Sequence, residues 1–345
     1  MSTTITSVNF RSDNETPVAP EIWKAMEEAN LGTAWAYGDD DWSMRLDEAY
    51  SELFETPTRV MPLTTGTVCN AIALACSTPP WGSVFCHRNA HIVADESGAP
   101  EFYGNGLRLS LIEGKEGKIQ ADGLRAAIDA SAGHGVHSYR PAALSLTQTT
   151  ESGAIYQLDE LNELYGIASE LGLATHMDGA RFANAIASLG CTPAESTWKA
   201  GAQMLSFGAA KNGCMTAVAL LFFGDNEWYE TAERHRKRGG HLVSKMRYIS
   251  AQLLAYIEDD LWLNLASHAN RQAQRLAKAI EGHGSASLEF PVHANHGFVR
   301  WTPEGLAHLE SSGVQFQYWP GTDDLARVVF AHSTTDEEME ILFRA

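Results

Sequence analysis

Lys211 stands in SFGAAKNGCM (206–215) with only Asn212 as a comparably strong polar neighbour. A strongly hydrated ammonium seldom sits in such surroundings without a partner. Burial disfavours its charged form, and a neutral amine is a nucleophile toward carbonyl carbon. Upstream, THMDGARF (175–182) ends an expected strand with Asp178 and opens an expected helix at Arg181. Alone, that motif fits a buried salt bridge or a helix cap as well as a ligand site, since ligands of open α/β sheets bind outside the carboxyl ends of the strands. Aspartate and then lysine, each at a strand end in successive units, is what pyridoxal phosphate needs. The lysine forms the Schiff base, and the aspartate keeps the pyridine nitrogen protonated so that the ring accepts electrons. TTGTVCN (64–70) offers the phosphate cup: Gly66 permits close approach, Thr67 adds a hydroxyl, and backbone N–H groups at a helix start bind anions. A Gly-Thr pair before a helix is also a common cap, so this motif gains its meaning from Asp178 and Lys211 in the expected order.

The elements that must position these residues alternate. PEIWKAMEEA (20–29), GTVCNAIALAC (66–76), ADGLRAAIDAS (121–131), LDELNELYGIASELG (158–172) and RFANAIASLG (181–190) have helical spacing. GSVFC (82–86), LRLSLI (107–112), PAALSLTQ (141–148), LATHMD (173–178), MLSFGAA (204–210) and AVALLFFG (217–224) read as strands. This alternation predicts an α/β fold with a mostly parallel sheet covered by helices on both faces. Residues 225–281 read as almost wholly helical. HGFVRW (296–301), a helix around 303–312 and LARVVFAH (325–332) predict a smaller C-terminal α/β domain. The expected division is a large domain with an N-terminal arm over 1–250 and a small one over 251–345.

The formal charge of -18 over 345 residues argues against a protein that mainly binds nucleic acid, and requires a local positive pocket for any anionic substrate. Five cysteines at no CxxC spacing, with no secretory leader, predict reduced thiols and a cytoplasmic location. No apolar run approaches a membrane span. GNGLRLS (104–110) lacks the third glycine of a dinucleotide fingerprint, and GKEGK (114–118) lacks the spacing of a P-loop. His87 and His91 in CHRNAH (86–91) could share a helix face as metal ligands, but no carboxylate lies between them, and two histidines in an ordinary loop is the simpler reading. RHRKRGGH (234–241) in isolation is a solvated helix face.

Taken together, these motifs resemble the threonine aldolase/β-eliminating lyase family of fold-type-I pyridoxal phosphate enzymes, and the chain is similar in particular to bacterial phenylserine and low-specificity L-threonine aldolases. The resemblance runs through FRSDNETPVAPEI (10–22), AYGDD (36–40), TTGTVCN, CHRNAHIVADESGAPEFYGNG (86–106), SLTQTTESGAIYQLDE (145–160), HMDGARFANA (176–185), SFGAAKNG (206–213), RKRGGHLVSKMRYISAQ (236–252) and the ARVVFAH tail. It implies that Lys211 is the cofactor lysine, Asp178 its pyridine partner, His91 the ring-stacking histidine, and Gly66 and Thr67 the phosphate cup, with no metal. It implies that Arg181 and Arg327 clamp the substrate carboxylate, with Ser12 near the substrate. Tyr37 and Arg247 match positions near the cofactor, Arg247 across a subunit interface. The implied activity is cleavage of L-β-hydroxy-α-amino acids (phenylserine, threonine, allo-threonine) to glycine and an aldehyde, by a homodimer or homotetramer with shared sites. The rivals are another β-eliminating lyase, an aminotransferase or a cysteine desulfurase on the same fold, and a binding protein that kept the fold without its chemistry. Trp35, Tyr37 and Trp42 could line a pocket for a phenyl group, or serve as ordinary core or interface packing. Two departures stand out: Ala210 where relatives often carry Thr, and Thr150 where many carry a histidine proposed as base, which leaves His91, a water or the cofactor phosphate to move the proton.

Overall fold

The structure, a computed structural model, describes residues 7–131 and 133–344. Its strands in chain order are β1 (Val8–Asn9), β2 (Thr58–Leu63), β3 (Gly82–His87), β4 (Arg108–Ile112), β5 (Arg140–Thr147), β6 (Ala174–Gly179), β7 (Met204–Gly208), β8 (Val218–Phe223), β9 (Ala286–Leu288), β10 (His296–Trp301), β11 (Val314–Gln315), β12 (Gln317–Tyr318) and β13 (Leu325–Val329). Seven of them form one sheet in the order β2-β8-β7-β6-β5-β3-β4. β3 to β7 are mutually parallel, as the alternation predicts. Only β8 runs antiparallel to its neighbours. The segment between β7 and β8 is too short for the helical crossover that a parallel partner needs, so the chain folds straight back.

β2 is not apparent in the sequence. TRVMPL carries Pro62, which cannot donate to a ladder, but β2 lies at the sheet edge, where that loss is tolerated. It runs in the same direction as the parallel strands. The segments that follow β2, β3, β5, β6 and β7 therefore all leave from one edge of the sheet, where Gly66, His91, Asp178 and Lys211 gather. His87 ends β3 and His91 opens a short helix (His91–Ala94), so the two rings belong to different elements instead of sharing a loop or a helix face.

A second, antiparallel sheet has the order β12-β13-β10-β9. The N-terminal segment joins this C-terminal part of the fold: β1 pairs with β11, Phe10 N–H donates to Gln315 O at 2.8 Å, and Val329 N–H donates to Phe10 O at 2.8 Å. Residues 12–14 are thereby held between the two sheets.

The lysine turn is anchored from below. Phe207 on β7 packs against Tyr50, Phe182, Tyr256 and Trp262, with a ring separation of 5.6 Å to Trp262. Asn212, next to the lysine, donates to the Tyr256 hydroxyl at 2.7 Å and to Trp262 O at 2.9 Å. One amide thus ties the turn to the helices Arg247–Ile257 and Leu261–Ile280. Gly208 permits this arrangement: a Cβ there would lie 2.7 Å from Ala180 O, so only glycine lets the end of β7 pass the turn after Asp178. No helix among the described residues is long and apolar enough to cross a membrane.

Candidate active site

A cavity of about 310 Å³ opens at this sheet edge, lined in part by Gly66, Thr67, His91, Asp178 and Lys211. Lys211 lies in a single 3-10 turn (Ala210–Asn212), and its amine makes no hydrogen bond or ion pair among the described residues. Burial, and then the neighbouring Arg181 charge, hold its pKa below the usual lysine value, against the opposing pull of Asp13, Glu151 and Asp178. Asp178, buried at the end of β6, accepts from Ala180 N–H at 3.0 Å through Oδ1 and from Asn70 Nδ2 at 2.9 Å through Oδ2.

The Gly66–Ser77 helix starts at the rim of this cavity. Thr65 is its N-cap, and the Thr65 Oγ1 accepts from Val68 N–H at 3.3 Å. The N–H groups of Gly66 and Thr67, in the first turn, have no helical partner and carry the positive end of the helix dipole. A Cβ at Gly66 would meet nothing within 4 Å, so space for a ligand lies open beside it. An anion cradle, an unpaired amine of lowered pKa and a buried carboxylate sharing one cavity are the donor set that pyridoxal phosphate requires.

His91 is held by Glu96: Nδ1 lies 2.8 Å from Glu96 Oε1. Its pKa is raised, chiefly by that hydrogen bond, against the effect of burial. Behind Asp178 on the same strand, His176 bridges Ser145 Oγ at 3.0 Å and Ser206 Oγ at 2.9 Å. Burial pushes its pKa down to about 4, so it is a neutral spacer in the sheet.

Arg181 and Arg327 are not among the residues that line the cavity. Arg181 is buried and pairs through two nitrogens with Asp13, at 2.8 and 2.9 Å. Asn295 Nδ2 donates to the same Asp13 carboxylate at 3.0 Å. Arg327, on β13, donates to Gln317 Oε1 and leaves its buried Nε without a partner among the described residues. Burial and the nearby Arg181 charge lower its pKa. Ser12 caps the short 3-10 helix Asp13–Glu15 by accepting from Asn14 N–H, and Asn14 reaches the cavity wall. Tyr37 and Arg247 lie away from the cavity in a single chain. Tyr37 stacks under Lys237 Nζ, 4.9 Å from the ring centre, and Arg247 donates to Gly32 O at 3.2 Å.

The Thr150 hydroxyl is engaged by the local backbone. Its Oγ1 donates to Glu116 O at 2.8 Å and accepts from Ala154 N–H at 3.1 Å, so it braces a tight turn. Sequence reasoning missed Asp13, Asn70 and Glu96 as parts of the site. Asn70 had a readable signal, a lone amide in the apolar helix GTVCNAIALAC.

The Asp13–Arg181 pair carries a stability prediction. Burial pushes the Asp13 carboxyl up, but Arg181 and Lys211, with the hydrogen bonds from Arg181 and Asn295, outweigh it and hold the group at about 2. That is below its ordinary 3.8, so the stabilisation is complete above the ordinary value and is lost only as pH falls toward 2. Asp13→Asn leaves a buried guanidinium uncompensated, and is expected to lower the unfolding free energy by about 3 kcal/mol at neutral pH. The gap from wild type should narrow as the solution is acidified through that window. Urea unfolding that shows a loss below about 1 kcal/mol would mean that Asp13 does not hold Arg181.

The β-eliminating lyase family model matches residues 9–302. A low specificity L-threonine aldolase of Pseudomonas aeruginosa is 41% identical over 335 residues, covering 97% of this chain and 96% of the relative. A second, from a Pseudomonas species, is 41% identical over 92% of this chain and 90% of its own length. The solved structure of a Leishmania major threonine aldolase superposes with a TM-score of 0.91 at 25% identity, covering 97% of each chain.

Proposed function

The chain belongs to the β-eliminating lyase family as a carbon–carbon lyase of the threonine aldolase type, and from that premise we propose that it cleaves L-β-hydroxy-α-amino acids to glycine and an aldehyde, with pyridoxal 5′-phosphate as cofactor. The observation that carries this reading is the shared cavity of Lys211, Asp178 and the unpartnered N–H groups of Gly66 and Thr67. Phenylserine, threonine and allo-threonine are the proposed substrates, phenylserine on the strength of the end-to-end resemblance.

Bound in this cavity, the cofactor supplies an electron sink for the bond being broken at Cα. The protein's own groups do the rest. Gly66 and Thr67 receive the phosphate at the helix start, and Lys211 supplies an amine whose charged form burial disfavours. Asp178 holds a proton at the ring nitrogen, and His91 covers one face of the ring. Arg327, with an unpartnered Nε, and Arg181, already oriented by Asp13, receive the substrate carboxylate near Ser12. Holding the carboxylate fixes the torsion about the Cα–N bond, and so fixes which Cα bond would stand perpendicular to the ring; for a β-hydroxy amino acid that is Cα–Cβ, the orientation in which its electrons can be accepted.

Tyr37 and Arg247 are proposed to act across an interface in a homodimer or homotetramer. Leu31 and Trp35, 79% and 80% exposed, flank this segment with apolar surface that a second copy would cover.

A substrate panel tests the reading. L-phenylserine and both threonine diastereomers should each release an aldehyde and an equal amount of glycine. A keto acid without aldehyde would instead place the chain among the eliminating lyases or aminotransferases.

A further inference from the structure

His91 and Glu96 lie five residues apart and Asp178 ends a distant strand, yet their nearest polar atoms all lie within 4.8 Å of one another. The group between them is Asn70. Its Nδ2 donates one proton to Glu96 Oε1 and the other to Asp178 Oδ2, each at 2.9 Å. Glu96 Oε1 also meets His91 Nδ1 at 2.8 Å. Asn70 thus donates to both carboxylates from a single amide.

Glu96 meets only residues of this site. Its side chain is fully buried, and among the described residues it bonds only to His91 and Asn70. Glu96 Oε2 and Asn70 Oδ1 have no partner among the described residues. A buried carboxylate with half its acceptor capacity unused is costly unless it serves the groups it touches.

We propose that Glu96 is a positioning residue that, through Asn70, couples the ring-covering His91 to the nitrogen-pairing Asp178, so that both faces of the cofactor pocket are set by one buried carboxylate. The inference rests on the proposed function for what these two residues do. Glu96 holds Nδ1 of His91, which fixes the ring plane and turns Nε2 to the cavity. It also locks the Asn70 amide in the only orientation that offers a proton to Asp178, because a flipped amide would set its oxygen against both carboxylates. The charged groups facing His91 are Glu96 just beyond its own helix, Asp178 of β6, Glu151 of the loop after β5, and Lys211 across the cavity. Of these, only Glu96 touches the ring nitrogen.

The test uses the full-length protein without cofactor. In histidine-labelled protein the His91 ring resonances, assigned by their loss in His91→Gln, are titrated by NMR. Glu96→Gln is expected to move the His91 midpoint downward, toward free imidazole, since the hydrogen bond to Glu96 is the chief cause of its elevation. The same variant should weaken pyridoxal phosphate binding by roughly tenfold, the scale on which removing an orienting partner acts. Asn70→Ala should weaken binding while moving the His91 midpoint much less. Glu96→Asp, which retracts the carboxylate by one methylene, should reproduce the downward shift and serves if Glu96→Gln does not fold. An unmoved midpoint with unchanged cofactor affinity, in a variant that melts like wild type, would overturn the proposal. Neither readout needs turnover. A chain that releases no aldehyde but shows both effects would lose the aldolase reading and keep this one.

Discussion

Lys211→Ala is expected to lower aldehyde release from β-hydroxy amino acids by more than about 10³-fold while the protein stays folded. The substitution removes a nucleophilic amine and a proton carrier together, and proton transfer alone is typically worth about 10²–10⁴-fold. Folding should not suffer. The amine has no partner among the described residues, the turn is held by Asn212, Tyr256 and Trp262, and a methyl group in an apolar site costs less than a desolvated, unpartnered amine. Lys211→Arg is the informative companion. It carries a fixed positive charge and cannot offer an uncharged amine near neutral pH, so it should be as inactive as the alanine variant. An arginine variant that retained turnover would reduce Lys211 to an electrostatic role.

Asp178→Asn is expected to lower kcat by about 10²–10³-fold, the range for removing one preorganised electrostatic partner. Its effects should also spread. An asparagine that keeps the bond from Ala180 N–H turns its own NH2 toward the Asn70 NH2, donor against donor. Asn70 relieves that contact only by flipping, which sets its oxygen against Glu96. The variant should therefore lose roughly 1–3 kcal/mol of stability, the cost of a buried polar group left unpaired. Steady-state kinetics and urea unfolding on one preparation measure both. Full kcat with normal stability would leave Asp178 as a structural residue only.

The site became legible where chemistry and strand ends coincide. Asp178 and Lys211 stood out because each is a polar residue at or just beyond the end of an apolar strand, and in a parallel sheet such ends share one edge. The supporting residues did not stand out. Asp13 meets Arg181 across nearly half the chain, and no local spacing encodes that pair. Glu96 lies in a loop where a carboxylate normally faces water, and only the fold buries it against His91. β1 is two residues long and exists because β11 offers it an edge. The strand TRVMPL was hidden by Pro62, whose cost depends on where in the sheet it lies. The antiparallel course of β8 follows from the length of the connection before it, which propensity does not report.

The central claim is that the Lys211 amine, its charged form disfavoured by burial, bonds covalently to the cofactor's aldehyde carbon. Borohydride reduction of the protein loaded with pyridoxal phosphate, followed by peptide mapping, tests it most directly. The account predicts a single phosphopyridoxyl mass on the peptide that contains Lys211, absent in Lys211→Ala. The adduct on a different lysine, or no adduct at all in a protein that still cleaves phenylserine, would contradict it.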